Sequence, residues 1–298
     1  MAKTFSKSEH EIIEMLNACK IFNYNGKKYD IKVLGKPVSS FGEPKTDIYI
    51  YAECVNDEND QLEFKISFKQ KNFEFLENKI SADRAEEIFG NDWLKIVTDS
   101  ILNIKDKFEE KKLIYKKKFG KTEQGCFTLG WKFELLNVKS GNLSGEIQLS
   151  KEQLCDIFAG TNLDDDKRNA MVQGNRIPDS GIANYILIED EYESVEEMLS
   201  KIISMDDYVR EHDKLYFACK ALNYRSIKKK FDGNRSLSVY VDWNIVNNKL
   251  SGKLVFNEPL LHGGNEIFAK LISCLNQLNI DTTDDVDEGN AEGDIIYE

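Results

Sequence analysis

Residues 45–50 and 62–69 each alternate apolar and polar side chains with a period of two, and nothing else in the chain constrains its fold so tightly. Successive side chains on a strand point to opposite faces, so Ile48, Ile50 and Ala52 share one face while Asp47, Tyr49, Tyr51 and Glu53 share the other. By the same rule Leu62, Phe64, Ile66 and Phe68 lie opposite Glu63, Lys65, Ser67 and Lys69. Paired, the two segments make one oily face and one strip of carboxylates and amines.

The 298 residues are enough for one elaborated domain or two small ones. No stretch approaches the roughly 20 apolar residues of a membrane helix. The start, residues 1–7, lacks the apolar run of a secretory signal, so a cytoplasmic location is expected. Six scattered cysteines without a C-x-x-C pair read as reduced thiols, and three histidines leave little room for a His-rich metal site. The net charge of −12 argues against a nucleic-acid partner until its distribution is considered. Residues 281–298 carry eight acids and no base; with them removed the balance is −4.

Periodicity predicts a helix over 6–20 with Ser8 as its cap, then a hairpin of 22–24 and 28–34 turning at Asn25-Gly26. A polar loop is expected at 56–60, helices at 82–89 and 92–118, a hairpin over 131–149 and a helix over 151–158. Beyond these, the pattern predicts a strand at 184–188, helices within 194–224, a hairpin over 237–256 and a helix over 266–278. The acidic end, 281–298, reads as disordered. The expected class is α+β (or α/β), a mixed central sheet flanked by helices. Residues 1–120 form its core; residues 121–280 complete the sheet and contact nucleic acid.

A carboxylate and lysine strip suits phosphodiester hydrolysis, in which carboxylates hold Mg²⁺ and a lysine orients or activates water. Gly42-Glu43-Pro44-Lys45-Thr46-Asp47-Ile48, followed after about twenty residues of spacing by Ile66-Ser67-Phe68-Lys69-Gln70 and then Phe75-Leu76, resembles the PD-(D/E)xK nucleases. The closer likeness is to type II restriction endonucleases, and it covers roughly residues 9 to 90. It implies a restriction-endonuclease-like core with Asp47 as metal-binding aspartate, Lys69 as catalytic lysine, and Glu11 or Glu14 as the extra acid of the opening helix. Two registers compete. Glu63-Phe64-Lys65 supplies the standard E-x-K, whereas Ser67-Phe68-Lys69 puts serine at the second acid; Lys69 is the preferred lysine, with Glu63 reaching the metal from the same face and Ser67 bonding the water.

Double-stranded DNA is the implied partner and a homodimer follows by analogy. Two basic clusters are the candidate DNA contacts: Lys116, Lys117 and Lys118, and Arg225, Lys228, Lys229, Lys230 and Arg235, the latter interleaved with Tyr224 and Phe231. The rival reading is a non-enzymatic acidic binding protein, a DNA mimic that occupies a DNA-binding partner. Acids concentrated in one terminal segment reproduce regularly spaced phosphates poorly.

Overall fold

The computed structural model describes residues 5–298 except 41, 72, 74 and 190, and the side chains of 5–8 and 75 lie outside the description. The chain forms two compact units, one from residues 1–73 and 150–213 and the other from 74–149 and 214–298. The expected division near residue 120 is thus replaced by two discontinuous units. A parallel neighbour of a strand needs a long crossover, and here the chain builds most of the second unit's first half before it returns.

In the first unit, helix α1 (Phe5–Cys19) leads into strands β1 (Ile21–Tyr24), β2 (Lys27–Gly35), β3 (Ile48–Cys54) and β4 (Asp57–Lys69). Helix α2 (Lys151–Ala159) precedes β5 (Tyr185–Ile188), helix α3 (Val195–Ser200) and the short β6 (Ile203–Ser204). The strands follow one another in space in that order. All neighbours are antiparallel except β4 and β5, which run parallel, so the sheet is mixed. Asn25 and Gly26 both have positive φ, as the tight turn joining β1 to β2 requires.

The register pairs Ile48 with Ile66, Tyr49 with Lys65 and Tyr51 with Glu63. Ile48, Ile50, Ala52, Phe64, Ile66 and Phe68 accordingly share one buried cluster with Ile12 and Leu16 of α1 and Val195, Met198 and Leu199 of α3. The polar loop expected at 56–60 is strand instead. Lys27 Nζ at 2.5 Å and the Tyr29 hydroxyl at 3.1 Å bind the Asp60 carboxylate, which lets the hairpin extend to a turn at Val55-Asn56.

The second unit departs further from the sequence pattern. The helix expected over 92–118 breaks into Trp93–Leu102 and Lys105–Glu109, after which Ile114–Tyr115 is a strand. Leu113, Ile114 and Tyr115 are consecutive and all buried, a pattern that suits a sheet and defeats a one-faced helix. Leu215–Arg225, expected among helices, is a central strand paired with Cys126–Leu136 along nearly its whole length. The strand Ser144–Ile147 also pairs with Leu215–Arg225, so the hairpin expected over 131–149 does not close on itself. The hairpin Val239–Val246 to Lys249–Val255 and the helix Gly264–Gln277 match expectation.

The acidic end is ordered rather than disordered. Short turns at Thr283–Asp285 and Gly293–Ile295 lead to Ile296–Tyr297, which pairs parallel to Ile114–Tyr115. Val286 and Ala291 are fully buried, and Lys116 and Lys249 donate to the carbonyls of Val286 (2.6 Å) and Glu288 (2.5 Å). Several acids serve the local backbone: Asp285 accepts from the amides of Thr282 and Asp281, bonds that hold its carboxyl below the ordinary range. Deleting residues 281–298 should therefore lower the thermal midpoint by about 5–10 °C, the loss expected from uncovering two or three apolar side chains. An unchanged midpoint in calorimetry would mean the segment contributes nothing to the fold.

Candidate functional site

Asp47 stands directly before β3, where the apolar pairing of β3 with β4 fixes its position. Its amide donates to the Ile66 carbonyl at 2.8 Å, and its Oδ2 accepts from the Phe68 amide at 2.7 Å. The carboxylate is thereby hooked across β4, where Lys69 is the opposite charge that acts on it most strongly. Burial pushes the Asp47 carboxyl above the ordinary range; Lys69 and the Phe68 amide pull it down, Glu9 pushes it up again, and Lys36 pulls it down. The net shift is upward, so the fold holds this carboxylate against its preference for water.

Glu9 and Lys36 belong to the same group of charges. Glu9, on α1, is only 6% exposed, and Lys36, the residue after β2, pairs with it at 2.8 Å. Burial works against the Lys36 ammonium, but the bond to Glu9 and the charges of Glu9 and Asp47 outweigh it and raise its pKa. The resemblance implies Glu11 or Glu14 as the helix acid. Both are exposed, and Glu14 pairs with His10 at 3.2 Å. The available signal was spacing: Glu9 lies three residues before Ile12 and seven before Leu16, on the inward stripe of the helix.

The second half of the unit pins the entry to β3. The amides of Lys45 and Thr46 donate to the Gly181 carbonyl at 3.0 and 3.2 Å, and the Gly181 amide donates to Arg168. A Cβ at Gly181 would lie 1.8 Å from the Lys167 carbonyl oxygen, so only glycine permits this approach. Thr46 and Ser67 are buried, and among the described residues their hydroxyls have no hydrogen-bond partner.

Glu63 and Lys65 are not brought to Asp47. Glu63 faces Tyr51, four residues and about 13 Å along β4 from Ser67. Its carboxylate accepts from the Tyr49 hydroxyl at 2.7 Å and lies 3.5 Å from Lys65 Nζ. Asn184 clasps the same stretch, accepting from the Lys65 amide and donating to the Glu63 carbonyl. Burial, then Glu63, pushes the Tyr49 hydroxyl far up, so it stays protonated. This half of the strip is a closed network.

Of the basic candidates, all in the second unit, Lys228 pairs with Glu123 at 2.5 Å, Arg225 with Asp232 and Glu123, and Lys116 with Glu298 at 3.3 Å. Arg235 donates to the Asn234 carbonyl. Lys117, Lys118, Lys229 and Lys230 are exposed and make no ion pair among the described residues.

Among the described residues no three His, Cys, Asp or Glu side chains converge as a metal cage. Mg²⁺ does not require one, because it keeps several waters and takes one or two carboxylates together with substrate phosphate. Asp47 and Glu9 fit that pattern: two hard carboxylates, one of them raised in pKa by burial in a way that a cation would relieve. Comparison with protein-family models, characterised proteins and solved structures finds no match.

Because its folded pKa is raised, Asp47 keeps its proton at pH values where the unfolded chain has lost it. Stability from this group is therefore fully present below about pH 4 and falls as pH rises through the folded value. Asp47→Asn, an isostere of the neutral form, should raise the thermal midpoint by ~3 °C at pH 8, with the gain fading toward pH 4. A variant less stable than the wild type at pH 8 would contradict the burial argument.

Proposed function

We propose that the first unit is a Mg²⁺-dependent endonuclease that hydrolyses DNA phosphodiester bonds, with a PD-(D/E)xK core resembling that of type II restriction endonucleases. The observation that carries the reading is the grouping of Asp47, Glu9, Lys69 and Lys36, with Asp47 held ionisable against burial. Perturbed carboxylates of this kind concentrate at functional sites. The chain order also supports it: a helix, four antiparallel strands with the acid entering the third and the lysine ending the fourth, then a helix and a parallel strand.

On this reading the working register is Ser67-Phe68-Lys69, and the carboxylate absent at Ser67 is supplied by Glu9 from α1. Asp47 and Glu9 would hold the metal. Bound there, Mg²⁺ supplies a Lewis acid that polarises the phosphate and offsets charge on the departing oxygen. Lys69 positions the attacking water against the scissile phosphate and offsets part of the burial that pushes the Asp47 carboxyl up. Lys36, paired with Glu9 at 2.8 Å, fixes the direction of its carboxylate. The water oxygen bonds to phosphorus and releases a proton to solvent, the P–O ester bond breaks, and the departing oxygen takes up a proton from solvent. Duplex DNA is the proposed substrate and a homodimer the proposed working form.

Incubation with plasmid and Mg²⁺ should give fragments that EDTA abolishes. Asp47→Asn, Lys69→Ala and Glu9→Gln should each lower the cleavage rate by at least about 100-fold, whereas Lys65→Ala should leave it within about threefold. Unchanged cleavage by folded Asp47→Asn would defeat the assignment, and loss in Lys65→Ala alone would restore the other register.

A further inference from the structure

The two basic clusters, about a hundred residues apart in sequence, meet at one end of the second unit's sheet. Tyr297, Tyr115, Cys126, Arg225 and Lys230 are successive partners across neighbouring strands. Glu123 confirms the convergence, since it pairs with Lys228 and Arg225 and also feels the charge of Lys118. Residues 114–126 and 224–232 hold eight lysines and arginines against two acids, in a chain whose net charge is −12. Such local excess against the overall charge marks a surface for a polyanion.

An aromatic ring stands in the middle of this charge. Phe119 is 51% exposed although it follows Lys116-Lys117-Lys118 and precedes Gly120-Lys121. One side of its ring is backed by Tyr297, with centroids 4.8 Å apart, and by Tyr115 at 6.4 Å. The Phe119 backbone is fixed as well, by paired hydrogen bonds with Thr122 at 2.9 and 3.0 Å. A ring held still by two aromatic neighbours, half open to water and flanked in sequence by Lys117, Lys118 and Lys121, which make no ion pair among the described residues, has the parts of a base-stacking platform.

We propose that this end of the second unit binds single-stranded nucleic acid, with an unpaired base stacking on Phe119 and the phosphates following Lys117, Lys118, Lys121, Lys229 and Lys230. A duplex keeps its bases stacked inside and cannot use the ring, so it gains only the charge. The acids nearby set the limits of the surface: Glu123 and Asp232 are already paired within it, Glu298 reaches Lys116, and the charge of Asp281 acts on the Tyr224 hydroxyl. The proposal concerns the second unit and stands or falls independently of hydrolysis in the first.

The test uses the full chain in EDTA, with fluorescent oligothymidylate and a hairpin duplex of equal length as probes. Phe119→Ala should weaken binding of the single strand by about 5- to 100-fold and change duplex binding less than about twofold. Phe119→Trp should retain affinity and show a fluorescence quench on adding the strand that the wild type lacks. Lys117→Glu and Lys229→Glu should each reduce the salt slope by about one. Equal loss of both probes in Phe119→Ala, or no quench in folded Phe119→Trp, would each overturn the proposal.

Discussion

A single backbone amide fixes the carboxylate on which the proposed hydrolysis depends. The Phe68 N–H binds Asp47 Oδ2 at 2.7 Å and ties the carboxylate that enters β3 to the strand that ends in Lys69. That bond exists only because Ile48, Ile50, Phe64 and Ile66 are buried together and lock the register of β3 on β4. A slip of one residue would turn every one of these side chains to the other face. The apolar face therefore sets the position of the charges on the polar one, and the price is a desolvated aspartate that Lys69 and the amide only partly compensate.

The same coupling explains why the first unit is discontinuous. Gly181, more than a hundred residues downstream, accepts the amides of Lys45 and Thr46 and so directs the chain into Asp47. Asn184 does the corresponding work at Lys65. Both lie just before β5, whose parallel pairing with β4 completes the sheet. The strip of alternating charges divides accordingly into a closed network around Glu63, Lys65 and Tyr49 and a group of Asp47, Glu9, Lys36 and Lys69 in which burial disfavours the Asp47 carboxylate.

What could be read in the sequence was local. The hairpins at Asn25-Gly26 and Asn247-Asn248, the α1 stripe and the two faces of β3 and β4 follow from turn chemistry and periodicity, which act within a few residues. Strand 215–225 and the buried run 113–115 were missed because 126–136, the partner of the first, and 296–297, one partner of the second, lie far away in sequence, and long-range pairing overrides local preference. The acidic end was misread for a related reason: its charges bind its own backbone, and Val286 and Ala291 suffice to anchor it. At the site, Asp47 and Lys69 were visible as residue types in a strand pattern. Glu9 was hidden because an acid on an apolar stripe looks like a break in periodicity until Lys36 is seen beside it. Composition carried no trace of that pair.

The most direct test of the central claim is calorimetric titration of Mg²⁺ into the protein in buffers of differing ionisation enthalpy. Convergence of Asp47 and Glu9 on one cation predicts binding accompanied by proton release that grows as pH is lowered toward the raised value of Asp47, with both signals lost in Asp47→Asn. Binding that persists unchanged in that variant, or that releases no proton at any pH, would contradict it.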